Sequence, residues 1–139
     1  MISENRTKHI IAVANLMREK AKLLNLNEDD MFLLGYLHDV GYFKDETLNH
    51  GQVGEIILTR NGYKYAKEIL YHGNPNPDYS SVELDLLNYC DMHIDGTGRL
   101  VSFEERLLDI KTRHGEDSLA YQNSKAVAEK LKQKHFLGE

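Results

Sequence analysis

The stretch Asn27-Glu28-Asp29-Asp30-Met31-Phe32-Leu33-Leu34-Gly35-Tyr36-Leu37-His38-Asp39-Val40-Gly41 decides how the rest of the chain is read. Asn27 can cap a helix by accepting a hydrogen bond from its first turn, and three acids follow where the helix dipole favours negative charge. Residues 31–37 are apolar nearly all round. A helix of that kind is expected at the centre of a domain. Gly41 suits the break after it. His38 falls four residues after Leu34 and seven after Met31, so His38-Asp39 stands at the inward-facing end of the central helix.

Helical periodicity extends outward in both directions. Upstream, Ile10, Val13, Ala14, Met17, Ala21 and Leu24 form one apolar stripe. Downstream, a third helix is expected from about His50, carrying Val53, Ile56 and Ile57 and ending at Asn61-Gly62. A fourth is expected over about residues 63–72. The loop over 73–78 contains both prolines and is non-helical. Ser80 or Ser81 caps a fifth helix with Val82, Leu84, Leu87 and Cys90, and Asp95-Gly96-Thr97-Gly98 marks a turn. Ser102-Phe103-Glu104-Glu105 is a capping-box pattern that opens a sixth helix. Asp117 is the expected cap of the last, with Gly138 near its end. The expected fold is an all-α, single-domain bundle of about seven helices over residues 1–139, with the helices of 102–137 packing on the rest.

Composition narrows the function classes. At 139 residues, 41% hydrophobic and 28% charged, the chain reads as one globular domain. Its 22 acids against 17 lysines and arginines give a net charge of −5, which argues against a nucleic-acid polymer as partner. A small nucleotide in a local positive pocket is still allowed. The single cysteine, Cys90, cannot form an intrachain disulfide, which fits a reducing compartment. The apolar residues 10–17 are interrupted by Asn15 and followed by Arg18-Glu19-Lys20, unlike a signal peptide. No run approaches the roughly twenty apolar residues of a membrane span, so no membrane partner and a cytoplasmic location are expected.

The ionisable residues then align. His9 lies beside the first stripe; His50 precedes Val53 by three; His72 follows Ile69 by three; Asp91 follows Leu87 by four. With His38-Asp39, five successive helices each place an ionisable group on or beside the inward face. One buried histidine is ordinarily a hydrogen-bonded core residue. Four imidazoles and two carboxylates in one core are costly unless paired or bound to metal. Bundle cores are also places where facing helices assemble metal sites.

His9, the pair in Leu37-His38-Asp39-Val40-Gly41, and Asp91 resemble the metal-binding signature of the HD-domain superfamily of phosphohydrolases. His50 and His72 resemble the additional ligands of its two-metal branch, which includes small bacterial proteins hydrolysing diadenosine tetraphosphate. The signature spans residues 9–91. The resemblance implies that His9, His38, Asp39 and Asp91 hold one ion, and that Asp39 bridges to a second held by His50 and His72. It implies a divalent transition metal (Fe, Mn, Zn, Ni or Co), in keeping with mixed imidazole and carboxylate ligands. It further implies a small phosphorylated substrate such as a nucleotide, attacked by a water that the metals activate. His38 and Asp39 would then act in catalysis as well as in binding.

Many relatives carry Lys shortly after the His-Asp pair, where this chain has Tyr42. Lys44 stands two residues on and is a candidate phosphate contact, as are Arg99 and Arg106. Gly96-Thr97-Gly98-Arg99 lacks the Gly-Lys-Ser/Thr of a phosphate loop and reads as a turn. Cys90 reads as core; His93, His114 and His135 read as surface residues. Asp95 reads as a polar helix end, with a supporting role at the site as its second reading. The lysines of the last helix (Lys125, Lys130, Lys132, Lys134) form a solvated face that could also be a homodimer contact. Two other functions fit the same ligands: a di-iron oxygenase, and a non-catalytic module binding metal and nucleotide.

Overall fold

The computed structural model describes residues 3–39 and 62–138. Among these are six α-helices: α1 (Glu4–Ala21), α2 (Glu28–Leu37), α3 (Ala66–Tyr71), α4 (Val82–Met92), α5 (Phe103–His114) and α6 (Leu119–Gln133). Short 3-10 turns cover Lys22–Leu24 and Phe136–Gly138. The extended structure among the described residues is a single bridge, Ile94 to Leu100. The fold is all-α, as expected. The break at Gly41 and the helix expected from His50 lie outside the described residues.

Local chemistry sets most helix starts. Ser3, Asn27, Ser81, Ser102 and Ser118 each accept a hydrogen bond from the backbone N–H three residues on. At Ser102 the capping box is complete, since the Glu105 carboxylate also accepts from the Ser102 N–H. The last helix corrects the sequence reading: Ser118, not Asp117, is its cap. The serine hydroxyl donates to the Gly115 carbonyl at 2.7 Å while accepting from Tyr121 N, whereas a carboxylate can only accept. The fourth expected helix is shorter than its pattern, because residues 63–65 form a turn before α3 begins at Ala66.

The core gathers Val13, Met17 and Ala21 of α1, Met31 and Leu34 of α2, Ile69 of α3, Leu86, Leu87 and Cys90 of α4, and Val127 and Leu131 of α6. The pair α1/α2 has the most extensive contact, but α2 is not buried all round as its apolar run suggests: Met31, Leu34 and Gly35 face the core while Leu33 and Tyr36 stand exposed. Gly35 makes the α1/α2 contact possible: a Cβ at that position would lie 2.8 Å from the Ala14 Cα and 2.9 Å from the Met17 Cγ. Two buried glutamate contacts brace α3 on α4, since Glu68 accepts from Tyr79 Oη at 2.6 Å and Ser81 Oγ at 2.7 Å. On α6, Lys130 reaches the Pro75 carbonyl and holds the 73–78 loop, while Lys132 and Lys134 pair with Glu104 and Asp85. No helix among the described residues is long and apolar enough to cross a membrane.

His93 departs from the surface position expected of it. It is buried, its Nδ1 donates to the Val101 carbonyl at 2.8 Å, and its ring lies against Tyr89 and Phe103. The cause is the Ile94–Leu100 bridge, which folds the chain back over the end of α4.

Candidate metal centre

Three imidazoles converge at one end of the bundle, and each is oriented by the same device. His38 and His72 are the residues that end α2 and α3, and each donates Nδ1–H to the carbonyl three residues earlier: Gly35 O at 2.6 Å and Ile69 O at 2.6 Å. Those carbonyls are among the last-turn acceptors that a helix leaves unsatisfied. His9, from the middle of α1, donates Nδ1–H to the Asp95 carbonyl at 2.9 Å. A carbonyl can only accept, so all three rings carry a proton on Nδ1 and turn Nε2 towards the cluster.

What those nitrogens face is negative. His9 Nε2 is 2.8 Å from Asp91 Oδ1 and 3.9 Å from Asp39 Oδ2. His38 Nε2 is 3.2 Å from Asp39 Oδ2 and 3.5 Å from Asp91 Oδ1. His72 Nε2 is 3.8 Å from the other Asp39 oxygen, Oδ1. The C-terminal end of α2 adds its partial negative charge. Such a cluster requires positive charge, supplied either by protons on the rings or by metal.

The donor set fits a metal. Bonds of ~2.1 Å place neighbouring donors of one ion ~3.0–3.4 Å apart, close to the spacings here. His9, His38 and Asp39 offer ligand atoms that all lie within 4.8 Å of one another. Most telling is His38 Nε2, which is fully buried and has no aligned hydrogen bond. An orphan of that kind costs stability unless something binds it.

Burial disfavours the charged form of His38, but Asp39 and Asp91 outweigh it and raise the His38 pKa well above its ordinary value. Burial works against both carboxylates too; His38 nonetheless holds Asp39 below the usual range, and His38 and His9 do so for Asp91. His72 goes the other way, lowered by burial and by His38. The metal-free site thus keeps its proton on His38, and a metal taking that Nε2 must expel it. Affinity should therefore rise with pH until the raised pKa of His38 is passed. Mn²⁺ titrated into metal-free protein should bind more tightly at pH 8 than at pH 6. Equal affinity at the two would remove His38 from the ligand set.

Supporting contacts explain why the cluster holds its shape. Gly98, at φ +89°, packs against the Lys8 carbonyl, where a Cβ would lie 2.9 Å away. That seats the 95–98 turn on α1 and delivers the Asp95 carbonyl to His9. The Asp95 carboxylate serves the turn itself, accepting from Thr97 N, Thr97 Oγ1, Arg99 N and Arg99 Nε. Burial opposes its charge, yet those donors hold its pKa low. Asp95 thus braces the turn through its side chain and orients His9 through its main chain.

The structure brings His9, His38, Asp39, His72 and Asp91 together; His50 and Lys44 lie outside the described residues. Arg99 is not brought to the cluster: its side chain is 77% exposed and bonds Asp95. Arg106 is, since its Nε donates to the Asp91 carbonyl at 3.3 Å. Arg6 is the residue sequence reasoning missed. Its Nη1 meets Asp39 Oδ2 at 3.1 Å. Its position one helical turn before His9 was the available signal.

Four members of the cluster, His9, Asp39, His72 and Asp91, line a cavity of about 890 Å³ together with Arg6, the 73–76 loop, one face of α5 and the start of α6, while His38 lies buried behind them. Searches of curated proteins and of solved structures each returned no match. The HD domain family model matches residues 6–137, a span that includes every residue of the cluster. HD domains bind divalent metals and are typically metal-dependent hydrolases, and the chain belongs to this family.

Proposed function

We propose that the protein is a phosphohydrolase that cleaves a phosphate ester or anhydride of a nucleotide or another small phosphorylated metabolite. The observation that carries this reading is the set of inward-turned Nε2 atoms and carboxylates at the base of a cavity with arginines in its wall. His9, His38, Asp39 and Asp91 would hold a first divalent ion. Asp39 turns Oδ2 to His9 and His38 and Oδ1 to His72, and in this reading it would also serve a second ion held by His50 and His72.

The chemistry such ions supply when bound is Lewis acidity and a water ionisable near neutral pH. The chain's own residues supply placement. Gly35, Ile69 and Asp95 fix the imidazoles through Nδ1, so the ligand atoms need little rearrangement. Arg6 steadies the Asp39 carboxylate. Arg106, partly buried on the cavity wall, is placed to bind a phosphate group of the substrate.

The test is product release by Mn²⁺- or Fe²⁺-loaded protein from a panel of mononucleotides, nucleoside triphosphates, cyclic dinucleotides and diadenosine polyphosphates. Turnover of at least one class is expected. Full metal occupancy with no phosphate release across the panel would overturn the reading, and substrate-dependent oxygen uptake by the Fe form would replace it with oxygenase chemistry.

A further inference from the structure

The α5 wall of the cavity has a chemistry of its own. α5 presents Arg106, Ile110, Arg113 and His114 to the cavity, at spacings that place them on one helical face. Asp109, on the same helix, links the two arginines: its Oδ2 accepts from Arg106 Nη1 at 3.4 Å and its Oδ1 from Arg113 Nε at 3.0 Å. The guanidinium groups are thereby tied together through Arg106 Nη1 and Arg113 Nε. Among the described residues, Arg106 Nη2 and both terminal nitrogens of Arg113 have no hydrogen-bond partner.

Gly96 completes the arrangement from the opposite side. A Cβ there would lie 2.8 Å from Arg113 Nη2 and 2.9 Å from its Cζ, so the guanidinium occupies space that only a glycine leaves open. Gly96 also lines the cavity, and its φ is outside the left-handed region, so its backbone does not itself require glycine. The described lining carries Arg6, Arg106 and Arg113 with the carboxylates of Asp39 and Asp91, and Asp109 balances the two α5 arginines without occupying Arg106 Nη2 or the terminal nitrogens of Arg113.

We infer that Arg106 and Arg113, tied by Asp109 and seated against Gly96, form an anion subsite that receives a second negatively charged group of the substrate, beyond the phosphoryl group at the metal centre. The inference rests on the phosphohydrolase reading for the placement of the first group. It assigns the preferred substrates to molecules with at least two anionic groups, such as a nucleoside diphosphate. Planar guanidinium forks bind two phosphate oxygens at once, which a single lysine does not.

The experiment is calorimetric titration of the Mn²⁺-loaded protein with AMP and with α,β-methylene-ADP, which carries the second phosphate but resists cleavage at that link. Manganese per chain is measured before and after. Wild type should bind the diphosphate analogue about tenfold more tightly than AMP, as expected for added charge-assisted hydrogen bonds. Arg113→Gln, at a half-exposed position that the core does not depend on, should bring the two within about twofold while leaving AMP affinity in place. Gly96→Ala keeps the charge but displaces the fork, and should give an intermediate loss. Equal wild-type affinities, or an undiminished preference in Arg113→Gln, overturn the subsite. The two readings fail separately. Loss of the preference with hydrolysis intact removes only the subsite, whereas a retained preference with no hydrolysis of any substrate removes only the phosphohydrolase.

Discussion

Asp39→Ala should purify without its metal and show at least ~100-fold less turnover than wild type, beyond the range seen when a mere supporting contact to a metal ligand is lost. The expectation follows from where the carboxylate stands. It is buried, and its oxygens lie 3.2 Å from His38, 3.9 Å from His9, 3.8 Å from His72 and 3.1 Å from Arg6. No other side chain among the described residues reaches all three imidazoles. Removing it takes a negative charge from a place where burial already penalises every cation. Neither a proton on His38 nor a divalent ion is then well supported. Asp39→Asn separates charge from shape: it keeps the volume and one carbonyl oxygen but cannot share an anionic carboxylate between two ions. Elemental analysis of both variants, beside circular dichroism to confirm the helices, reads the result directly. Wild-type metal content in Asp39→Asn would sink the assignment.

The inward positions of His9, His38 and His72 were legible because their signal is local. A ring on the inward face of a helix is visible in spacing alone, and His38 and His72 take their orienting bond from a carbonyl three residues earlier in the same helix. The capping box at Ser102 was legible for the same reason. The carbonyl that orients His9 was not, since it belongs to Asp95, 86 residues away, and a main-chain acceptor leaves no trace in residue type. Arg6 escaped because a charged residue near a helix start reads as solvated unless the partner that comes to it is known. His93 illustrates a different limit. It stands four residues after Tyr89 and so on that residue's face, but only the return of Val101 over it decides that the face is covered. Arg113 offered still less. A basic residue in the last turn of α5 is what the helix dipole favours anyway, and the space at Gly96 emerges only in three dimensions.

Gly35→Ala should lower the melting temperature and weaken the metal site together, although by helix propensity alone it ought to stabilise. Alanine in place of glycine inside a helix gains about 1 kcal/mol. Against that, the new Cβ would lie 2.8 Å from the Ala14 Cα and 3.1 Å from the Ala14 N. These are backbone atoms of α1 and cannot rotate aside, unlike the Met17 side chain at 2.9 Å. Overpacking of a close-packed interior costs about 1–3 kcal/mol, and a backbone contact belongs at or above the top of that range. The clash therefore wins by about 2 kcal/mol, a fall of roughly 6–10 °C for a domain of this size. Its second effect comes from what the two helices carry. α1 holds His9 and α2 holds His38, and the Gly35 carbonyl is itself the acceptor for His38 Nδ1. Parting the helices by even part of an ångström lengthens the spacing between two ligands of one ion and moves the atom that aims one of them. Metal affinity should drop about tenfold or more, as losses of supporting geometry do. Melting curves with and without Mn²⁺ distinguish the two effects, because the stabilisation that metal gives should shrink in Gly35→Ala beyond the fall in the metal-free curve. A variant as stable as wild type, with metal stabilisation unchanged, would mean that α1 and α2 do not approach as closely as Gly35 requires.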